Sequence, residues 1–156
     1  MAEQKQLSKS DFLSYLECPY QFHYFCTHPN EKQEASESDQ LTIENGMEFQ
    51  DTVNALLDDT YSQEVIFKTN KYYSRTDCVR YIDKSTVELY EIKSSKFKEG
   101  EKIDDKYIFD IAFQKFVAEE AGFVVSDSYL ILASDNYVFD GIEIKPELFE
   151  IVNVNE

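Results

Sequence analysis

The spacing of apolar residues along the chain changes several times, and each change marks an element. LSKSDFLSYLE offers Ser8 or Ser10 as a helix N-cap, followed by Phe12, Leu13, Tyr15 and Leu16 at helical spacing. Pro19 interrupts that pattern and predicts a break or kink near Cys18. His28 to Gln40 holds almost no apolar residue and reads as a loop. A helical pattern resumes in LTIENGMEFQDTVNALLDDTY through Met47, Val53, Leu56 and Leu57, with Gly46 inside it or at its start.

The period then shortens. EVIFK, KYYSRTDCVRYID and STVELYEIKSS are rich in β-branched and aromatic residues and predict three strands, with a hairpin turn at Asp83-Lys84-Ser85. After the charged loop KFKEGEKIDDK comes a helix, DKYIFDIAFQKFVAEEAGF. Ile108, Ile111, Ala112 and Phe116 lie along one side of it, and Gly122 closes it. VVSDSYLILAS is a further strand. NYVFDGIEIKPELFEIVNV reads as a turn, a short strand and a helical turn begun at Pro146. The order helix, helix, three strands, helix, strand predicts one α/β domain over residues 1–156. Three strands form a meander, and a helical crossover lays the next strand parallel to an inner one, giving a central mixed β-sheet flanked by helices.

Composition narrows the class. The chain has 156 residues, 42% hydrophobic and 15% aromatic, enough to bury a core. No apolar run is long enough to span a bilayer and no secretory leader pattern is present, so the expectation is a cytoplasmic protein with no membrane partner. Cys18, Cys26 and Cys78 stand at no framework spacing and read as reduced thiols. Cys18, His23, Cys26 and His28 fit no familiar zinc pattern. A net charge of −16 argues against broad attraction to nucleic acid. The charge is uneven, however. Lys32 is the sole base between Glu31 and Glu64, whereas Lys68 to Lys106 holds most of the Lys and Arg residues.

Within that basic segment lies the candidate chemistry. Glu91 and Lys93, two apart on a strand, share one face. Asp77 and Glu91 are each seven positions from Lys84, so an antiparallel hairpin sets them opposite one another. Two facing carboxylates repel unless a cation sits between them. The arrangement is either a solvated salt-bridge ladder or a metal site. A hard cation such as Mg²⁺ suits one or two carboxylates plus carbonyl and water oxygens, and Lys93 would point into the same pocket. On the following helix Asp110 and Gln114 are four apart and share a face, from which Gln114 would orient a carboxylate or a water. Cys78 points to the opposite sheet face and reads as core. Glu48 and Gln50 read as solvated helix residues.

In order along the chain, Asp77, Glu91-Ile92-Lys93 and Gln114-Lys115-Phe116 resemble the PD-(D/E)XK nucleases of the RecB-like branch. Ser8-Lys9-Ser10 with Cys18-Pro19 is similar to the N-terminal helix of that branch, and Gly46 to Gln50 falls where many members carry Gly-x-x-x-His. The strongest likeness is to the nuclease-like N-terminal domain of a group of largely uncharacterised bacterial proteins, through Asp110 to Gln114, Asn136-Tyr137-Val138 and Gly141. It runs from about Leu7 to Val154.

The resemblance implies a restriction-endonuclease-like core and a metal-dependent nuclease that hydrolyses phosphodiester bonds. DNA is expected ahead of RNA, along with a further C-terminal region or protein partner. It implies Mg²⁺ or Mn²⁺ on Asp77, Glu91 and the Ile92 carbonyl, with Lys93 assisting the attacking water and Gln114 completing the site. Two positions depart from the pattern: Gln50 replaces the usual His, and Ala118 stands where the branch has Tyr. Cys18 matches the early cysteine of iron–sulfur members, but no cysteine follows Cys78, so no cluster is expected. Two alternatives accompany the nuclease: an inactive binding module on the same fold, and an acidic interaction protein or nucleic-acid mimic.

Overall fold

The structure is a computed structural model and describes residues 5–155. It is an α/β fold with a mixed sheet flanked by helices, as the element order predicts; the sheet has six strands and four α-helices flank it, against four main strands and three helices in that order. A two-residue strand, β1 (Leu7–Ser8), leads into α1 (Lys9–Glu17). Ser8 caps α1 in a full capping box with Asp11. Pro19 breaks the helical run and starts α2 (Pro19–Thr27) from its first turn, where its missing N–H costs nothing.

The next helix, α3 (Glu37–Leu56), begins four residues before the point at which the apolar pattern resumes. Its first turn is entirely polar and gives no period. It forms because Ser36 and Asp39 make a second capping box, so the loop expected to reach Gln40 is shorter.

Strands β2 (Tyr61–Lys68), β3 (Tyr72–Tyr81) and β4 (Thr86–Phe97) form an antiparallel meander. α4 (Asp105–Glu120) crosses over, and β5 (Val124–Ser134) returns parallel to β4. Gly122, at φ 97°, provides the left-handed turn that ends the helix before β5. A 3-10 turn at Pro146–Leu148 precedes β6 (Phe149–Asn153), which pairs antiparallel with β5.

Alternation sorts side chains to two cores. On one face Val79, Val87, Leu89, Leu130 and Leu132 pack with Ile111 and Val117 of α4. On the other, Cys78, Tyr90, Ile92 and Ile131 pack with Val53 of α3. Cys78 is fully buried there, as expected of a core thiol, and burial together with nearby Asp77 pushes its thiol up to about 12.

The feature that positions the site is a fork. β2 covers one edge of β3 from Tyr73 to Arg80. The other edge is shared: β4 pairs with Cys78 to Tyr81, and β1 pairs with Tyr72 and Tyr73. The described pairs leave Ser74 to Asp77 unladdered on that side. β1 went unseen in the sequence because two residues carry no period, yet it holds α1 against the mouth of the fork.

Candidate functional site

The β3–β4 register runs Tyr81↔Val87, Arg80↔Glu88, Val79↔Leu89, Cys78↔Tyr90. One step further, Asp77 falls opposite Glu91, as the turn at Lys84 predicts. Here the ladder stops. The Asp77 Oδ2 atom instead accepts from the Ile92 N–H at 2.9 Å. In an extended strand the N–H and C=O of one residue face the same edge, so the Ile92 carbonyl also faces the fork.

Glu91 is 2% exposed and lies on the face that carries Val87 and Leu89. Its charge is met from three elements. Lys93 Nζ, two residues along β4, donates to Oε1 at 2.8 Å, and Lys9 Nζ from α1 donates to the same oxygen at 2.8 Å. Gln114 Nε2 from α4 donates to Oε2 at 2.7 Å. The same three groups meet Asp110: Lys93 at 2.6 Å, Gln114 at 2.8 Å and Lys9 at 3.2 Å. Two buried carboxylates, two ammonium groups and one amide thus form a closed box in which neither acid is left unpaired. The amide has to turn its Nε2 toward both acids, which leaves Gln114 Oε1 buried with no hydrogen-bond donor among the described residues.

Asp77 lies at the edge of the box. Gln50 Nε2 from α3 reaches its Oδ1 at 3.3 Å, but no ammonium group among the described residues pairs with it. Burial and the facing Glu91 charge push the Asp77 carboxyl up to about 7. For Glu91, burial also works against ionisation, but Lys9 and Lys93 outweigh it and hold the carboxyl down at about 2. The repulsion between the facing acids therefore falls on Asp77, whose carboxyl is the one raised, because both lysines lie on Glu91. Burial works against the charge of each lysine, and the carboxylates of Glu91 and Asp110 reverse that, so both ammonium groups hold their protons more tightly than usual.

A third acid belongs to this row. The β2–β3 register sets Glu64 opposite Asp77, but the described pairs pass from Gln63↔Cys78 to Val65↔Thr76, and Glu64 sits outside the ladder at φ 50°. A left-handed conformation costs a residue with a side chain roughly 1–2 kcal/mol. Glu64 is exposed, so the row across the sheet holds two acids rather than three.

Asp77, Glu91, Lys93 and Gln114 are brought together, with Ile92 between them. The expectation that Gln50 is merely solvated is corrected: it turns inward to Asp77. Glu48 does lie on the exposed side of α3. Lys9 is a member that no sequence signal marks as part of the site, and Asp110, which shares a face with Gln114 and belongs to the resembling stretch Asp110 to Gln114, is a full member of the box. The i, i+4 spacing of Asp110 and Gln114 signalled that pair, but no pattern marks a lysine on the first turn of α1. Ala118 is fully buried in the α4-side core, so no polar group stands where the resemblance expects a tyrosine.

The site opens on a cleft of about 280 Å³ lined by Lys9, Ser10, Tyr73, Arg75 and Asp77, among others. Among the described residues no group of three or more His, Cys, Asp or Glu side chains is placed to hold a metal. The oxygen donors at the fork are two carboxylates and one carbonyl. That set suits a hard divalent cation which keeps most of its waters, and unsuits a zinc or iron–sulfur site. None of the described helices is long and apolar enough to cross a membrane.

The chain is similar in fold to the crystal structure of SSO0001, with a TM-score of 0.50 and 12% identity over 100% of this chain and 70% of that one. At that identity the likeness shows the α/β fold alone. No protein-family model matches the chain, and no curated protein matches its sequence.

Proposed function

We propose that the chain is a metal-dependent phosphodiesterase of the PD-(D/E)XK class that cleaves nucleic acid, DNA in preference to RNA. The observation that carries this reading is the unequal treatment of two facing acids. Glu91 accepts from two ammonium groups and an amide, while Asp77 beside it accepts only from the Ile92 N–H and the Gln50 amide and has no cation of its own among the described residues. A divalent cation in the fork would relieve both the burial and the repulsion that raise Asp77. Asp77, Glu91 and the Ile92 carbonyl would hold Mg²⁺ or Mn²⁺, which when bound supplies stabilisation of charge at the scissile phosphate and a more acidic water. Lys93, fixed by Asp110, presents an ammonium group beside Glu91 that holds a water or a phosphate oxygen. Gln114 locks the orientation of both carboxylates.

A nucleic-acid mimic needs exposed carboxylates and no lysine, and so does not account for Glu91 and Asp110, which are gathered inward around two lysines. One observation favours an inactive module as the second reading. With Ala118 packed into the core, any role of the family's tyrosine is left unfilled.

Calorimetry with Mn²⁺ and Mg²⁺, run beside cleavage of single- and double-stranded DNA and RNA, separates these readings. The nuclease loses metal binding in Asp77→Ala and loses cleavage in both Asp77→Ala and Lys93→Ala. Metal binding without cleavage of any substrate selects the binding module. Absence of metal binding in the native chain removes the nuclease reading.

A further inference from the structure

Among the described residues, Lys9 is the one cation that reaches the box from outside the β4–α4 unit. It comes from the first turn of α1, and it lines the open cleft together with Asp77. Its ammonium nitrogen lies 2.8 Å from Glu91 Oε1, on the carboxylate that faces Asp77. A divalent ion held by both acids would need an oxygen of Glu91, and this ammonium group already holds one of the two. Lys93 cannot yield that place as readily. Its backbone lies two residues from Glu91 on the same strand, and its shortest contact, 2.6 Å, is to Asp110. The second contact of Lys9, to Asp110, is the longest in the box at 3.2 Å.

We propose that Lys9 is a built-in competitor for the divalent cation: its ammonium group occupies the cation's side of Glu91 until metal loading displaces it into the cleft. There it joins Arg75, an exposed residue on the same cleft, to form a basic mouth for an anionic substrate. Metal loading and capture of the substrate's phosphate are then coupled through one side chain. This rests on the divalent-metal reading of Asp77 and Glu91.

The test is Mn²⁺ titration by calorimetry, without nucleic acid, of the native chain, Lys9→Met, Lys9→Gln and Arg75→Met. Thermal unfolding of each protein confirms that it is folded, and Lys9→Gln decides if Lys9→Met is not. Competition predicts that the Lys9 variants bind Mn²⁺ about tenfold more tightly or better, because a close charge pair no longer has to be broken. Arg75→Met removes the same unit of charge from the same cleft without vacating Glu91, and is expected to change affinity by about twofold or less. The variants also separate the second half of the inference. Inorganic phosphate tightens Mn²⁺ binding to the native chain and does so less in Lys9→Gln.

Equal gains in the Lys9 and Arg75 variants would mean a general field effect and overturn the competition. Unchanged or weaker binding in the Lys9 variants overturns it as well, while native binding lost in Asp77→Ala leaves the metal reading standing. If neither the native chain nor any variant binds Mn²⁺, the metal reading itself falls, and the competition with it.

Discussion

The β3–β4 hairpin carries two cross-strand charge pairs, three positions apart in register, and they are built in opposite ways. At the closed end Arg80 faces Glu88, base against acid, at 3.5 Å. Glu88 also accepts from the Tyr90 hydroxyl, and Arg80 lies over the Tyr61 ring. Each partner compensates the other locally, and the Arg80 side chain stays 41% exposed. At the open end Asp77 faces Glu91, acid against acid, and Lys93 of β4 is joined by compensation imported from α1, α3 and α4. A sheet gains from the first arrangement and loses from the second. The fold retains the second only because three separate elements supply ammonium and amide groups around it. The closed end is a self-contained ion pair, whereas the open end depends on groups that other elements bring to it.

Removing the acid at each end breaks the comparison most directly. Glu91→Ala leaves two half-buried ammonium groups with one carboxylate between them and is expected to cost about 3 kcal/mol. Glu88→Ala, at the screened end, is expected to cost about 1 kcal/mol or less. Urea unfolding of the two variants at pH 7 measures both, and similar losses would mean that the open end is no more demanding than the closed one.

The next largest effect is a pH dependence. In metal-free protein the Asp77 carboxyl is raised from 3.8 to about 7, so the folded state holds a proton that the unfolded state has released. Stability from this group is complete below pH 4 and is lost as pH rises to about 7. Glu91 has the opposite sign: its lowered carboxyl adds stability above about pH 4.5, which is lost as pH falls toward 2. Asp77→Asn is therefore expected to match the native chain near pH 4 and to exceed it by about 2 kcal/mol at pH 8. Unfolding curves at the two pH values check the crossover. A constant difference between the variants would show that Asp77 titrates normally.

Smaller effects sharpen the contrast. Glu64→Gly, opposite Asp77 on β2, relieves a left-handed conformation and is expected to stabilise by about 1 kcal/mol. A rise in melting temperature reports it. At the closed end, a double-mutant cycle on Arg80 and Glu88 is expected to give a coupling of about 0.5 kcal/mol, measured by denaturant unfolding and weakened by salt.

Much of this arrangement could be read from the residues alone. The hairpin turn at Asp83-Lys84-Ser85 fixed which residues face each other, and the two-residue period of β4 put Glu91 and Lys93 on one face with Leu89. The crossover after β4 required a parallel return, and β5 provides it. What the sequence hid was orientation across long separations. Lys9 gives no periodic signal, and its place in the box depends on the pairing of β1 with β3 and on the stacking of Phe12 of α1 against Phe113 of α4. Gln50 looks like any polar position on a half-exposed helix; its inward turn depends on where α3 crosses β3. The first turn of α3 was hidden for a local reason, since capping residues stood where apolar spacing was sought.

The separation of Lys9 from Glu91 also bears on the order in which the molecule assembles. The two residues are 82 positions apart. A β-hairpin closes in about 1–10 μs, so β3 and β4 bring Asp77 and Glu91 face to face early. Lys9 arrives only after a far longer loop has closed, and such non-local contacts slow folding. The expected order is a hairpin that first carries its carboxylate pair without its most distant counter-charge, followed by docking of α1, with low ionic strength making the molecule most dependent on that final step.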